Sequence, residues 1–401
     1  MDESACRWPG LCDGYWNRLR YIPKFLEIGA VPPQTKKEHC SVALLPSWLP
    51  NETIHSLACR YHLLAAYQDP TVTALQLFRH VGAGNNPLFM TGIDHLSAIS
   101  QGMLGTCKSM VLDHSSVPFF ISFLKPARRE PFLSGFGRPG WKYWQTMLRG
   151  FYWPTWITAK LRYCPLCLKH DNANFGIGYW HTEHMLPVAQ ICLLHDCLLV
   201  APPLLHRWSL PTEGASSSSR LDINIPAASA RSLLKKAAQI CNVIAAIVPD
   251  CSNASAICDV FSSALGGLHV TGGPLNLQFH EHVARLFLAY YAPILDMRAS
   301  VELSLSSEDL QVAIHRVFSA GPSYSPHIFC LLVAWLFESW ESFYYQYKQC
   351  EQDHAARRRR GCPLHSLFSD EPHGTLEEQS GSGQIAFDRS RDSDNRIGNR
   401  R

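Results

Sequence analysis

The chain has 401 residues, 46% of them hydrophobic, and a formal charge of +3. That is ample apolar sequence for two or three domains, and too little net charge to announce a nucleic-acid partner by itself. No uninterrupted apolar run of about 18 residues occurs, and Asp2 and Glu3 open the chain with no apolar signal core behind them, so neither a membrane span nor export is expected. The 15 cysteines are scattered from Cys6 to Cys362, mostly singly in apolar surroundings (Cys59, Cys107, Cys241, Cys258, Cys330). They read as buried thiols of a reducing cytosol rather than as a disulfide framework.

Residues 1–43 show no clean period, although Trp8, Tyr15, Trp16, Tyr21 and Phe25 argue against a fully solvated segment; they are read as an N-terminal extension. Leu44-Leu45-Pro46-Ser47-Trp48-Leu49-Pro50 is extended by its two prolines. Asn51 then stands as an N-cap with Glu52 in the first helical turn, where the helix dipole favours an acid. Ile54, Leu57, Ala58, Tyr61, Leu64 and Ala65 make one apolar helical face, ended by Asp69-Pro70. A second helix is predicted over Val72–Val81 and a third over Ile93–Met103. Three short helices with tight turns permit a helix-turn-helix and equally permit an ordinary small bundle.

A buried run, Val117-Pro118-Phe119-Phe120-Ile121-Ser122-Phe123-Leu124, leads into a basic, aromatic stretch. Lys125, Arg128, Arg129, Arg138, Lys142, Arg149, Lys160 and Arg162 face one acid, Glu130. Trp141, Trp144, Leu148 and Phe151 have helical spacing and read as core; the cations form a face suited to phosphates, with a merely solvated face as the alternative. Arg128, Arg129, Lys142 and Arg149 are the candidate DNA contacts.

The stretch Tyr163–Leu199 carries the strongest chemistry. Cys164-x2-Cys167 is followed, after 24 intervening residues, by Cys192-x2-His195. Two short pairs can converge on one ion and complete a tetrahedron; a thiolate-rich set selects zinc, and four protein ligands leave no open position for substrate. The expectation is a structural Zn2+ site in a zinc-finger module spanning 163–203. Cys197 is an alternative fourth ligand; His195 is preferred because it repeats the two-residue gap of the first pair. Trp180 is read as the packing residue of a module with little core of its own. His181-Thr182-Glu183 has the H-x-E form of zinc deaminases, but there it precedes the Cys-x-x-Cys and here it follows, so a zinc hydrolase or deaminase is the remote alternative. His170, His181 and His184 are read as surface or satisfied histidines.

Gly214-Ala215 and Ser216–Ser219 mark a linker over 204–220. A helical domain is predicted over 221–351, with Leu233, Ala237, Ile240, Ile244 and Ile247 on one helix, Val283, Leu286, Phe287 and Tyr290 on another, and Ile328, Leu331, Leu332, Trp335, Leu336 and Phe343 on a third. From Gln352 the pattern fails, and a disordered tail is expected over 352–401. The fold class is therefore mainly α, with a helix-turn-helix-like N-terminal domain at 44–162, a central Cys3His module and a C-terminal helical domain.

Taken in order, Leu-Pro-Ser-Trp-Leu-Pro-Asn-Glu-Thr-Ile-His-Ser at 45–56, the helix with Arg60, V-P-F-F-I-S-F, R-Y-C-P-L-C, Y-W-H-T-E-H-M-L-P, I-C-L-L-H and C-L-L resemble the TniQ/TnsD family of transposon target-selection proteins. The likeness runs from about Leu44 to Val200 and is fainter over Pro326–Tyr345. It implies a target-site selection adaptor, not a transposase and not an enzyme, that marks an insertion site and recruits a AAA+ ATPase. It also implies helix-turn-helix and zinc-finger elements. One branch binds double-stranded DNA itself; another docks on an RNA-guided CRISPR effector, which is the alternative reading here. The low-complexity sequence after Gln352, where longer members continue with helical DNA-binding sequence, favours that alternative; some relatives also have two zinc sets against one here. The resemblance places the protein in the cytoplasm, associated with the nucleoid.

Overall fold

Caps and apolar spacing make the described chain mainly helical, with one short antiparallel hairpin. The computed structural model describes residues 45–140, 161–202, 206–211, 228–266, 277–295, 307–322 and 325–359. The N-terminal extension, the Trp141–Phe151 spacing, the serine run at 216–219 and the sequence after Arg359 lie outside those residues. The chain divides into two units, Met1–His354 and Ala355–Arg401, and every site described below lies in the first.

Helix α1 (Ile54–Leu64) begins two residues later than Asn51 predicts. Thr53 is the cap, its side chain accepting from the Ser56 amide at 3.0 Å. Such a cap contributes about 1 kcal/mol. Glu52 is not in the first turn; it is fully buried and its carboxylate has another use, described below. The apolar face holds through Ile54, Leu57 and Ala58, but Leu64 is 59% exposed because the last turn runs past the core.

Asp69-Pro70 does more than end α1. Asp69 caps α2 (Pro70–Phe78), accepting from the Thr71 amide at 2.7 Å, with Pro70 at the first helical position. Arg79, in the left-handed region at φ 51°, closes α2 before Val81. α3 (Ile93–Ile99) stops short of Met103, where Gln101 (φ 52°) and Gly102 turn the chain. α1 packs on α2, and α2 on α3. α4 (Cys107–Asp113), α5 (Val117–Ile121) and α6 (Pro126–Gly135) follow. The proline-bounded apolar run is thus a buried single-turn helix, α5, with Phe119 and Phe120 ring edge to ring face at 5.1 Å.

After α7 (Pro165–Phe175), a 3-10 turn (Thr182–Met185) leads into β1 (Ile191–Cys192) and β2 (Cys197–Leu198), which pair with Cys192 opposite Cys197. The segment expected as a linker begins inside the packed unit: Trp208 is buried and its indole donates to the Pro70 carbonyl at 2.8 Å. Gly84, at φ +83°, answers to that packing, since a Cβ there would lie 2.4 Å from the Trp208 ring.

The C-terminal helices are α8 (Ala228–Ile247), α9 (Ala254–Ala264), α10 (Leu277–Leu295), α11 (Ser307–Ala320), α12 (Pro326–Leu336) and α13 (Trp340–Arg359). α8 packs against α5, β1, α10 and α12. A helix covered on several sides buries more than one stripe. Hence Leu234, Ala238 and Cys241 are buried along with Ala237, Ile240 and Ile244, while Ile247, expected on the buried face, is exposed. The predicted third helix is two, broken at Phe337–Glu338–Ser339, and α13 continues past Gln352 to Arg359. Phe123 meets Phe329 ring edge to ring face at 5.5 Å, so the N-terminal helices and the C-terminal helices share one core.

Candidate metal centre and its junction with the first helix

Cys164 caps α7, with Pro165 at the first helical position. Its sulfur accepts from the Cys167 amide at 3.3 Å, so the helix N-terminus faces the thiol. Cys192 and His195 bracket the hairpin turn, closed by the Asp196 amide donating to the Cys192 carbonyl at 2.8 Å. Asp196 is left-handed at φ 52°, and its carboxylate meets Lys235 at 3.4 Å and Arg231 at 3.9 Å on α8. The hairpin is thereby held on the C-terminal helices.

These turns bring Cys164, Cys167, Cys192 and His195 together, with all four ligand atoms within 4.8 Å of one another. His195 Nδ1 lies 3.5 Å from Cys164 Sγ, 3.2 Å from Cys167 Sγ and 3.7 Å from Cys192 Sγ. Cys167 and Cys192 sulfurs are 3.7 Å apart. Zinc–ligand bond lengths give tetrahedral edges of about 3.8 Å between sulfurs and about 3.6 Å between sulfur and nitrogen. The donor set therefore has the size and the composition to hold one metal ion. Hydrogen bonds from the Cys167 and Cys192 side chains already pull the Cys164 thiol well below its ordinary value, which favours a thiolate in the cluster.

Cys197, the alternative ligand, sits on β2 with its sulfur 3.2 Å from that of Cys164. It is outside the four-atom cluster, and burial, with the Cys164 sulfur beside it, pushes its thiol up to about 12. Two histidines of the H-x-E-H run are buried rather than on the surface. His181 pairs with the buried Asp171 carboxylate at 2.8 Å and stacks on Tyr179 at 4.4 Å. His184 reaches Cys167 Sγ with Nε2 at 3.9 Å. His170 is exposed. Glu183 stands 3.8 Å from His184, its carboxyl raised by burial. Neither His181 nor Glu183 belongs to the metal-ligand cluster.

The centre is fastened to α1 through a backbone junction. Thr53 N donates to Trp180 O at 3.0 Å, and Thr182 N to Asn51 O at 2.8 Å, around an antiparallel bridge between Glu52 and His181. Trp180, 1% exposed, receives support from both sides: its amide donates to Ser56 Oγ at 3.0 Å and its indole to the Ser209 carbonyl at 2.8 Å. Its expected packing role holds, though it fills the junction with α1 rather than a separate finger.

Beneath the junction, Glu52 and Arg60 form a buried pair at 2.9 and 3.0 Å. The carboxylate also accepts from the Leu49 amide at 3.1 Å, and the guanidinium also donates to Ser47 O. Burial raises the Glu52 carboxyl, with Arg60 acting against that shift. This pair and the Asp171–His181 pair escape a one-dimensional reading: Glu52 and Arg60 are eight positions apart and look like ordinary helix-surface charges.

The cations divide. Lys125, Arg128 and Arg138 are exposed. Arg129 is engaged internally, donating to the carbonyls of Leu124 (3.1 Å), Ser122 (3.3 Å) and Pro249 (3.1 Å) and to the Asp250 carboxylate (3.4 Å). Arg162 is buried and holds the His184 and Leu186 carbonyls at 3.1 and 2.8 Å. Lys142, Arg149 and Lys160 lie outside the described residues. No described helix is long and apolar enough to cross a membrane.

No curated protein matches the chain significantly. The model of the TniQ family matches residues 43–199, a span that begins beside the Trp48–Glu52 segment and ends on the hairpin carrying Cys192 and His195. The span contains both ligand pairs, Trp180 and the backbone bonds that join it to α1, and over these residues the chain is similar to the TniQ family, which is associated with target selection in transposition.

Proposed function

We propose that the protein is a target-site selection adaptor for DNA transposition, which binds double-stranded DNA and recruits a AAA+ transposition ATPase, and that its Cys3His centre holds one structural zinc. The observation that carries this reading is that the TniQ span contains an intact four-ligand cluster at its C-terminal end. Three thiolates and an imidazole suit zinc over hard cations, and a full protein shell gives the ion a folding role rather than a catalytic one. The adaptor works by assembly: phosphate contacts set its position on the duplex, and an exposed face of the N-terminal helices receives the ATPase.

The proposed phosphate contacts are Arg128, Lys142 and Arg149. Arg129 was expected among them too; its Nε and one terminal nitrogen bond carbonyls that fix α6 to the loop before α9, and its part in DNA binding is tested with theirs. A salt series of gel shifts on duplex DNA tests this. Binding should weaken steeply with ionic strength, by about one power of salt for each phosphate neutralised. Binding indifferent to salt contradicts it. Absence of any duplex binding, with co-purification on a guide-RNA effector, establishes the CRISPR-docking alternative instead.

A further inference from the structure

His184 is a buried imidazole beside the metal-ligand cluster that does not belong to it. It is 2% exposed and sits on the 3-10 turn between the two ligand pairs. Its Nε2 lies 3.9 Å from Cys167 Sγ and 3.8 Å from Glu183 Oε1. Its Nδ1 is buried and has no partner among the described residues. A neutral imidazole carries its proton on one nitrogen, and the surroundings choose which. Here only Nε2 has anything to donate to.

The ring is held in that pose from both ends. Arg162 clamps the carbonyls of His184 and Leu186. His181, fixed by Asp171, lies against the ring with centroids 5.0 Å apart. An ion held by three thiolates and a neutral histidine leaves the centre with one net negative charge when the ion is divalent, and a buried negative charge needs donors aimed at its sulfurs. The Cys167 amide supplies one to Cys164. We propose that His184, as its Nε2–H tautomer, donates to the metal-bound sulfur of Cys167 and so sets how tightly the centre holds its ion. His184 is then a positioning residue rather than a ligand, and the inference rests on the zinc reading above.

The test uses full-length protein. In cadmium-substituted protein with 15N-labelled histidine, nitrogen shifts should show His184 protonated at Nε2, with a slowly exchanging proton coupled to 113Cd through the sulfur. Chelator competition should show His184→Phe weakening metal affinity by about 10- to 100-fold, with His184→Gln, whose amide can replace the donor, recovering most of it. A His184 proton on Nδ1, an unchanged affinity in the Phe variant, or equal losses in both variants overturns the inference. Where the Phe variant does not fold, the tautomer in the unaltered chain decides. A chain that binds no metal at all overturns the zinc reading and this inference together; one bound ion with the Nδ1–H tautomer overturns this inference alone.

Discussion

The segment 163–200 and the helices after 228 solve the same problem by different means. The C-terminal helices bury aromatic rings against one another: Phe261 touches Phe318, Phe329, Phe337 and Phe343 with centroids 5.7 to 6.1 Å apart. The metal-centre segment has α7 exposed along most of its length and only a two-residue hairpin. Its order comes from a ligand cluster, from the junction with α1, and from polar groups such as Asp171 and Arg162 that bond inward. The first region is stable through buried area; the second is stable only while its donors have partners. Perturbing each should therefore give different outcomes.

The two largest effects form a matched pair. Glu52→Ala leaves the Arg60 guanidinium buried and unpaired, a change that costs about 3–5 kcal/mol. Phe261→Ala opens a cavity in the aromatic core and costs about the same. Urea unfolding should place both variants well below the parent. Hydrogen exchange should separate them: Glu52→Ala should loosen residues 51–56 and 178–184 first, Phe261→Ala the helices α9, α11 and α12. Coincident loss of protection in both variants would mean that the two regions unfold as one, and the contrast would be lost.

A smaller effect is acid sensitivity. Burial holds the His55 imidazole down at about 4 in α1, the helix the metal-centre segment is joined to, and the His327 imidazole at about 3 in α12 of the C-terminal helices. Each is depressed below the unfolded value of 6.5, so the unfolded chain takes up the proton first. The stability from the neutral rings is full above pH 6.5 and is lost as pH falls, through pH 4 for His55 and pH 3 for His327. The His55 share is about 3 kcal/mol in all. His55→Gln should remove that share of the slope between pH 7 and pH 5 in urea titrations; a slope unaltered by the substitution contradicts the assignment.

The smallest effect on stability should come from Arg128→Ala. Arg128 is exposed and no internal bond depends on it, so unfolding should stay within about 0.5 kcal/mol of the parent. DNA binding should weaken, with the salt exponent lower by about 1. A variant that binds DNA as the parent does removes α6 from the proposed interface.

The Cys3His cluster was legible in the sequence because its members come as two local pairs: a gap of two residues brings each pair together through one tight turn. Helix positions were legible where one face meets one core, as at Ile54, Leu57 and Ala58. Helix ends were less so, because Asn51, Thr53, Asp69 and Pro70 offer competing caps, and tertiary bonds decide among them. Glu52 shows why: a residue well placed for a helix dipole is instead drawn under the junction by Arg60 and the Leu49 amide. Ile247 misled in another way, since α8 is covered on several sides and a single-stripe pattern cannot describe it. Arg129 and Arg162 read as free cations because nothing local in sequence reveals the carbonyls of Pro249 and His184 that they reach.

Hydrogen exchange of the full chain before and after metal removal, read alongside the metal content of the purified protein, is the most direct test. One equivalent of zinc is predicted. Its removal should abolish protection across residues 163–200 and at Glu52–Thr53, while the helices from Ala228 to His354 keep most of theirs. Protein that purifies with far less than one equivalent, or that keeps protected amides at Cys167 and Asp196 after chelation, would contradict it.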